Sequence, residues 1–213
     1  FSNERLIELA HEMISAGVKG VILIGGGEPL AHPKIGEFIE ILGSNDVAIG
    51  ITTNGTFIHR YEKEIAEYAN WTRVSFDAAT EETFATIRPS KRGSSKYSRI
   101  VDNMQSLSEI KKGILGFSFL IQTRADGPGV ISNVHEIYDA ALLARDVGCD
   151  YFEVKPTYQW RDDVPHALME HDRELMDLAR SEIEKTRTLA TSDFAIYEAI
   201  NLEASLSGVQ TVQ

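Results

Sequence analysis

Short polar runs follow apolar stretches along this chain, and their residue types could do chemistry. Val21–Ile24 runs into Gly25-Gly26-Gly27-Glu28-Pro29. Three glycines bare the backbone so that a ligand can approach its carbonyls and amides closely. The spacing does not suit phosphate. A dinucleotide GxGxxG pattern needs glycine where Leu30 stands, and the Walker lysine is absent. A carboxylate beside bared carbonyls suits a cation such as an ammonium group. The stretch also suits a tight strand-to-helix turn with a solvated glutamate.

Other runs sit at equivalent places. Thr52-Thr53-Asn54-Gly55 follows an apolar run, and Asn-Gly also makes simple turns. Ser75-Phe76-Asp77-Ala78 places Ser75 and Asp77 two apart, so on a strand they share one face. Such a pair suits a hydroxyl-rich or amino-acid-like ligand, or a buried pair satisfied within the fold. Thr80 can cap the helix that follows, with Glu81 and Glu82 at its positive end. Gln122-Thr123-Arg124 and Lys155-Pro156 complete the set.

Several features carry less. His11-Glu12 begins like a zinc-protease helix but has Ser15 where a second histidine is needed. His166 and His171 are five apart and do not share a helical face. Cys149 reads as a small buried hydrophobe, and Trp71 and Trp160 as packing residues.

The elements that must position these residues alternate. Strands are expected at Val21–Ile24, Val47–Thr52, Thr72–Phe76, Gly116–Ile121 and Tyr151–Val154. Between them run helical stripes. One is Leu6, Leu9, Ala10 and Met13; another is Ile35, Phe38, Ile39 and Leu42, with Pro33 in the first turn and Gly43 at the end. Ile100, Met104 and Leu107 form a third with one position skipped. Val134, Ile137, Tyr138 and Ala141 form a fourth. A charged helix spans roughly 168 to 187 with Leu175, Leu178 and Ala179 on its apolar side. Residues 88–99 read as a basic, mobile loop. The stretch Phe194–Leu206 reads as strand or helix. This beat implies an α/β fold with parallel pairing through right-handed crossovers, ligands binding at the strands' carboxyl ends. The opening helix implies a further strand upstream.

Composition bounds the rest. The 213 residues are 43% hydrophobic and 25% charged, an ordinary globular balance. A net charge of -11 opposes sequence-blind nucleic-acid binding, and no run is long enough to span a membrane. The single cysteine excludes an internal disulfide framework or a multi-cysteine metal site and fits a reducing cytoplasm.

In order and at successive strand ends, "GGGEPL", "TTNG" and "SFDAATEETFATIR" resemble the core of the radical S-adenosylmethionine superfamily. The resemblance runs across about 150 residues, to Lys155. It implies a partial (β/α)6 TIM-like barrel over 1–190, with 191–213 a linker or the start of a carboxy-terminal extension. It implies S-adenosylmethionine and a [4Fe-4S] cluster as cofactors, and a 5′-deoxyadenosyl radical that abstracts hydrogen from a small-molecule or peptide substrate. An electron donor such as flavodoxin or ferredoxin is implied as partner. By motif, Gly26, Gly27 and Glu28 receive the methionyl ammonium, Ser75 serves the carboxylate or ribose, and Asp77 neighbours it. Thr53 and Asn54 border the pocket, and Arg88 contacts a carboxylate. No catalytic residue is assigned.

The family holds its cluster with a CxxxCxxC loop after the first strand, which this sequence lacks. The expectation is a chain truncated before that point and inactive as it stands. The wording of the third motif is similar to members with a SPASM or twitch domain. Two other readings stay open: a non-redox barrel enzyme using Asp77, Glu28 and Lys155 as acid and base, or a cluster-less nucleoside-binding module.

Overall fold

The computed structural model describes residues 1–89, 94–126, 129–157, 173–200 and 202–206. They divide into two compact units. The first comprises Phe1–Ser75, Arg99–Gly116 and Val147–Cys149; the second comprises Phe76–Ser98, Phe117–Asp146 and Asp150–Gln213.

The first unit opens with α1 (Asn3–Ser15), whose N-cap Ser2 accepts the Arg5 N–H. Leu6 and Ala10, one turn apart, are its buried face. Then come β1 (Gly20–Leu23), α2 (Ile35–Gly43), β2 (Ala48–Thr53), α3 (Glu62–Tyr68) and β3 (Ala69–Ser75). All four residues of the expected α2 stripe are buried. Pro33 stands before the helix rather than in its first turn, since Lys34 is the N-cap. β1 pairs in parallel with β2, and β2 with β3. Ile49, Ile51 and Val74 are fully buried, whereas Ile22 and Ile24 are each 60% exposed. The first strand is therefore not the buried run its composition suggests. Among the described residues of this unit it has β2 as its strand partner, and apolar composition alone does not report an edge.

Most of α5 (Tyr97–Ile110) belongs to the same unit. Its buried side holds Ile100, Met104 and Leu107, and the position skipped in that stripe is filled by buried Asn103. The helix takes over the end of the stretch read as a loop; residues 90–93 of that loop lie outside the described residues.

The second unit holds α4 (Glu81–Ile87), β4 (Ile114–Ile121) from Phe117 onward, β5 (Thr123–Asp126), β6 (Gly129–Ser132) and α6 (Ile137–Asp146). It continues with β7 (Tyr151–Pro156), α7 (Arg173–Arg187), β8 (Ala195–Glu198) and α8 (Leu202–Leu206). The strand order is β4-β7-β8, with β7 and β8 parallel. The segment Phe194–Leu206 contains a strand and a helix in succession, so a sixth strand adds to the five expected. β5 and β6 form an antiparallel hairpin that the sequence reading did not anticipate. On α6 the buried residues are Ile137, Ala140, Ala141 and Ala144, so Tyr138 is not on the core face. On α7 they are Ala179, Glu182, Ile183 and Thr186, while Leu178 is exposed. The expected α7 residues 168–172 lie outside the described residues.

A linked set of rings forms part of this unit's core. Phe76 packs on Phe84, Tyr97 and Phe117 at centroid distances of 4.9, 5.1 and 5.3 Å. Phe152 lies 5.6 Å from Phe117 and 5.8 Å from Phe119. Among the described residues no helix is long and apolar enough to cross a membrane.

Candidate functional site

In the first unit, the ends of β1 and β2 are tied by one side chain. Glu28 caps the 3-10 turn Pro29–Ala31, its Oε1 accepting the Leu30 N–H at 3.1 Å. The same oxygen accepts the Thr53 hydroxyl at 2.6 Å, and Oε2 accepts the Asn54 N–H at 2.7 Å. Thr53 Oγ1 also accepts the Gly55 N–H at 3.0 Å, and Asn54 Oδ1 accepts the Thr56 N–H at 2.9 Å. Each loop therefore stiffens itself before Glu28 joins it to the other.

Gly55 has φ +78, and a Cβ there would lie 2.6 Å from Ile100 Cγ2. Only glycine fits both the conformation and the packing. Asn103 holds the turn from beneath, its Nδ2 donating to the Gly55 carbonyl at 2.7 Å.

Gly25, Gly26 and Gly27 are different. All three are exposed, and a Cβ built on any of them would meet nothing within 4 Å. None of the three has positive φ. Neither packing nor backbone strain within the protein calls for glycine at these positions. What their bareness provides is backbone open to a ligand. Half-buried Glu28 spends three of its roughly four lone-pair sites on protein donors. The arrangement can take a cationic head group on bared carbonyls, beside a carboxylate held in place.

β3 ends at Ser75, which is half-buried. Asp77 lies beyond the strand with φ +64. Strand alternation stops before it, so strand geometry alone does not put Ser75 and Asp77 on one face.

Asp77 anchors a separate network in the second unit. It is 1% exposed. Its Oδ1 accepts the Leu120 N–H at 2.8 Å. Its Oδ2 accepts Arg88 Nε–H at 2.9 Å, Arg88 Nη2–H, and Gln122 Nε2–H at 3.1 Å. The Arg88 side chain is 32% exposed. The guanidinium is thus gripped along one edge, through Nε and Nη2, by a buried carboxylate.

Beneath lie two residues to which the sequence reading gave no role. Asn133, fully buried, accepts the Gln122 N–H and donates to the carbonyls of Asp77 and Leu120, each at 2.8 or 2.9 Å. Glu136, 4% exposed, accepts from Ala79 N–H at 2.7 Å, Thr80 N–H at 3.3 Å, and the hydroxyls of Thr80 and Thr83 at 2.5 and 2.7 Å. Tyr97 donates its hydroxyl to the Ala79 carbonyl. Burial, then the charges of Glu136 and Glu81, push its phenol above the ordinary range. Asn133 and Glu136 flank Val134 in an apolar stripe; polar residues beside a core stripe were the available signal.

Lys155 Nζ pairs with Glu153 Oε2 at 2.8 Å on β7. Cys149 is buried, as its composition suggested. Trp71 is half-buried, with the Arg73 guanidinium 5.8 Å from its ring centroid. Trp160, His166 and His171 lie outside the described residues. Among the described residues no three His, Cys, Asp or Glu side chains could hold a metal ion. The bared backbone of Gly25–Gly27 beside the braced Glu28 carboxylate fits a cationic head group such as an ammonium, and no group of the described residues fits an iron-sulfur cluster.

Residues 1–126 match the Radical SAM superfamily. Comparison with curated proteins gives no match. Among solved structures, the chain is similar in fold to Streptococcus suis SuiB, with a TM-score of 0.64 and 12% identity over 93% of this chain and 43% of that one. A SuiB structure bound to precursor peptide SuiA gives 0.61, 14%, 97% and 45%. A radical SAM methyltransferase from Sphaerobacter thermophilus gives 0.53, 14%, 96% and 58%. The chain thus spans about half the length of these structures.

Proposed function

Since the chain belongs to the radical SAM superfamily, we propose that its Gly25–Glu28 segment binds the methionyl end of S-adenosylmethionine in an enzyme that starts radical chemistry. One observation carries this reading: three adjacent exposed glycines whose Cβ positions are empty space. Gly26 and Gly27 offer carbonyls to the ammonium, and Glu28, pinned by Leu30, Thr53 and Asn54, keeps its carboxylate beside them. Thr53 and Asn54 hold the loop; Ser75 serves the ligand's carboxylate or ribose. Arg88 meets a carboxylate and is held by Asp77, the neighbour of that site.

S-adenosylmethionine, when bound, would supply a 5′-deoxyadenosyl radical for hydrogen abstraction once one electron from the family's cluster had cleaved its sulfonium bond and released methionine. The family's [4Fe-4S] cluster needs three cysteines that the 213 residues do not contain. The substrate is a small molecule or a peptide, and the electron donor a flavodoxin or ferredoxin. A chain whose one cysteine is buried suits a reducing compartment such as the cytoplasm.

The acid-base alternative fares worse. Glu28 accepts three hydrogen bonds and Asp77 four from protein donors. Carboxylates so engaged brace a structure; a general base needs a lone pair aimed at substrate.

The test is Gly27→Val, judged by equilibrium dialysis against radiolabelled S-adenosylmethionine. A Cβ at this exposed position meets no protein atom within 4 Å, so the thermal midpoint should stay within a degree or two while binding falls at least tenfold. Unaltered binding in a folded variant removes the proposal.

A further inference from the structure

Parallel strands in α/β proteins are commonly covered on both faces and read as continuous apolar runs. β7 does not. Phe152 and Val154 are fully buried and Pro156 is buried, whereas Tyr151, Glu153 and Lys155 are half-buried. The chain alternates along this strand between a core face and a polar one.

Which face is which follows from the neighbours. Phe152 packs on Phe117 and Phe119 of β4. In register, Val154 lies beside Glu198 of β8, and Arg187 of α7 grips Glu198 with two hydrogen bonds of 2.7 and 2.9 Å. The Phe152–Val154 face is therefore the one that α7 approaches. On the opposite face Glu153 lies in register with Tyr197, and the Tyr151 and Tyr197 rings meet at 5.2 Å and 61°. Tyr197 is 55% exposed.

That face carries Lys155 near the carboxyl end of the strand, where α/β folds take their ligands, Glu153 two residues before it, and the paired rings of Tyr151 and Tyr197 on the amino-terminal side of Glu153. Glu153 and Lys155 touch at 2.8 Å with side chains 22% and 24% exposed. An ion pair at this depth contributes little to stability, because partial desolvation offsets most of the attraction. It places a pair of opposite charges on the half-buried face of the strand.

We infer that Glu153 and Lys155 are specificity-determining residues for a free amino acid or another small aminocarboxylate. The zwitterion lies antiparallel to the pair, its carboxylate on Lys155 Nζ and its ammonium on Glu153. Each protein charge keeps its partner and gains another. The rings of Tyr151 and Tyr197 cover the ligand's apolar part. This inference rests on the S-adenosylmethionine reading only for what the bound substrate then undergoes.

The test uses ligand-observed saturation-transfer NMR on the protein with S-adenosylmethionine present. The probes are the twenty proteinogenic amino acids in free, N-acetylated and carboxamide forms. At least one free amino acid should bind about tenfold or more tightly than its two blocked forms, each of which loses one charge-assisted contact. Lys155→Met should bring that amino acid down to the affinity of its amide, and Lys155→Arg should restore binding in part. Glu153→Gln should bring it down to that of its N-acetyl form. All three variants should bind S-adenosylmethionine like the wild type, which shows that they are folded. If no free amino acid outbinds its blocked forms, or if the variants treat all three forms as the wild type does, the inference is overturned. Failure of S-adenosylmethionine itself to bind the wild type would instead strike the functional proposal.

Discussion

The Thr53 hydroxyl donates to Glu28 Oε1 at 2.6 Å across 25 residues of sequence. It joins the ends of two adjacent parallel strands through a side chain expected to face a ligand alone. Glu28 is thus a brace as well as a candidate contact, and the two roles can be separated.

Glu28→Gln puts an amide NH2 against either the Asn54 N–H or the Leu30 and Thr53 donors. A donor facing a donor should cost about 1–3 kcal/mol, read as a lower urea midpoint. Thr53→Val removes the hydroxyl's bond to Glu28 and the acceptor of the Gly55 N–H, and leaves the carboxylate charge. If positioning matters to the site, Thr53→Val should weaken S-adenosylmethionine binding about threefold to tenfold, in dialysis, with Glu28→Gln weaker still. Full binding by Thr53→Val would show that Glu28 needs no brace from β2.

Most of the strand-helix order was legible because short apolar runs and i, i+3, i+4 stripes report burial directly. Ile35, Phe38, Ile39 and Leu42 are all in the core for that reason. What the sequence concealed were positions where tertiary context decides. Ile22 looks like core and is 60% exposed among the described residues, where β1 has β2 as its strand partner. Asn103, Asn133 and Glu136 look like surface and are buried, because each meets donors or acceptors that are distant in sequence. The β5–β6 hairpin interrupts the beat, with Asp126 paired to Gly129 across it; an aspartate followed by glycine is a sequence signal of the kind that joins antiparallel strands. Strand ends were recognisable as sites. That Asp77 leaves the strand at φ +64 and turns to Arg88 was not, since alternation says nothing past a strand's last residue.

The Asp77–Arg88 pair yields a stability prediction. Asp77 is buried and Arg88 partly exposed, so solvent already screens one partner. Arg88→Met leaves the carboxylate with the Leu120 and Gln122 donors alone. The loss should be about 2–3 kcal/mol, below the full cost of breaking a wholly buried pair. Arg88→Lys should recover only part of it, because one ammonium cannot match the edge that donates from both Nε and Nη2. Urea unfolding of the three proteins checks the order. Equal midpoints for Arg88→Lys and the wild type would show that charge alone, without the fork geometry, holds Asp77.

Tyr97 predicts a dependence on pH. Its hydroxyl donates to the Ala79 carbonyl, and burial with the nearby Glu136 and Glu81 charges raises its pKa above the ordinary value of 10.0. The folded protein therefore holds the phenolic proton more tightly than the unfolded chain does. Below pH about 10 both states are protonated and the contribution is complete. As pH rises through 10 toward the folded value, the unfolded chain ionises first and stability falls. Tyr97→Phe keeps the ring against Phe76 and Phe84 and removes the titrating group. Its stability should be lower than that of the wild type near neutrality by about 1 kcal/mol, the worth of one hydrogen bond. It should then fall less steeply between pH 9.5 and 11, so that the two unfolding curves converge. Parallel loss of stability in both proteins across that window would assign the alkaline dependence to other groups and leave Tyr97 a packing residue.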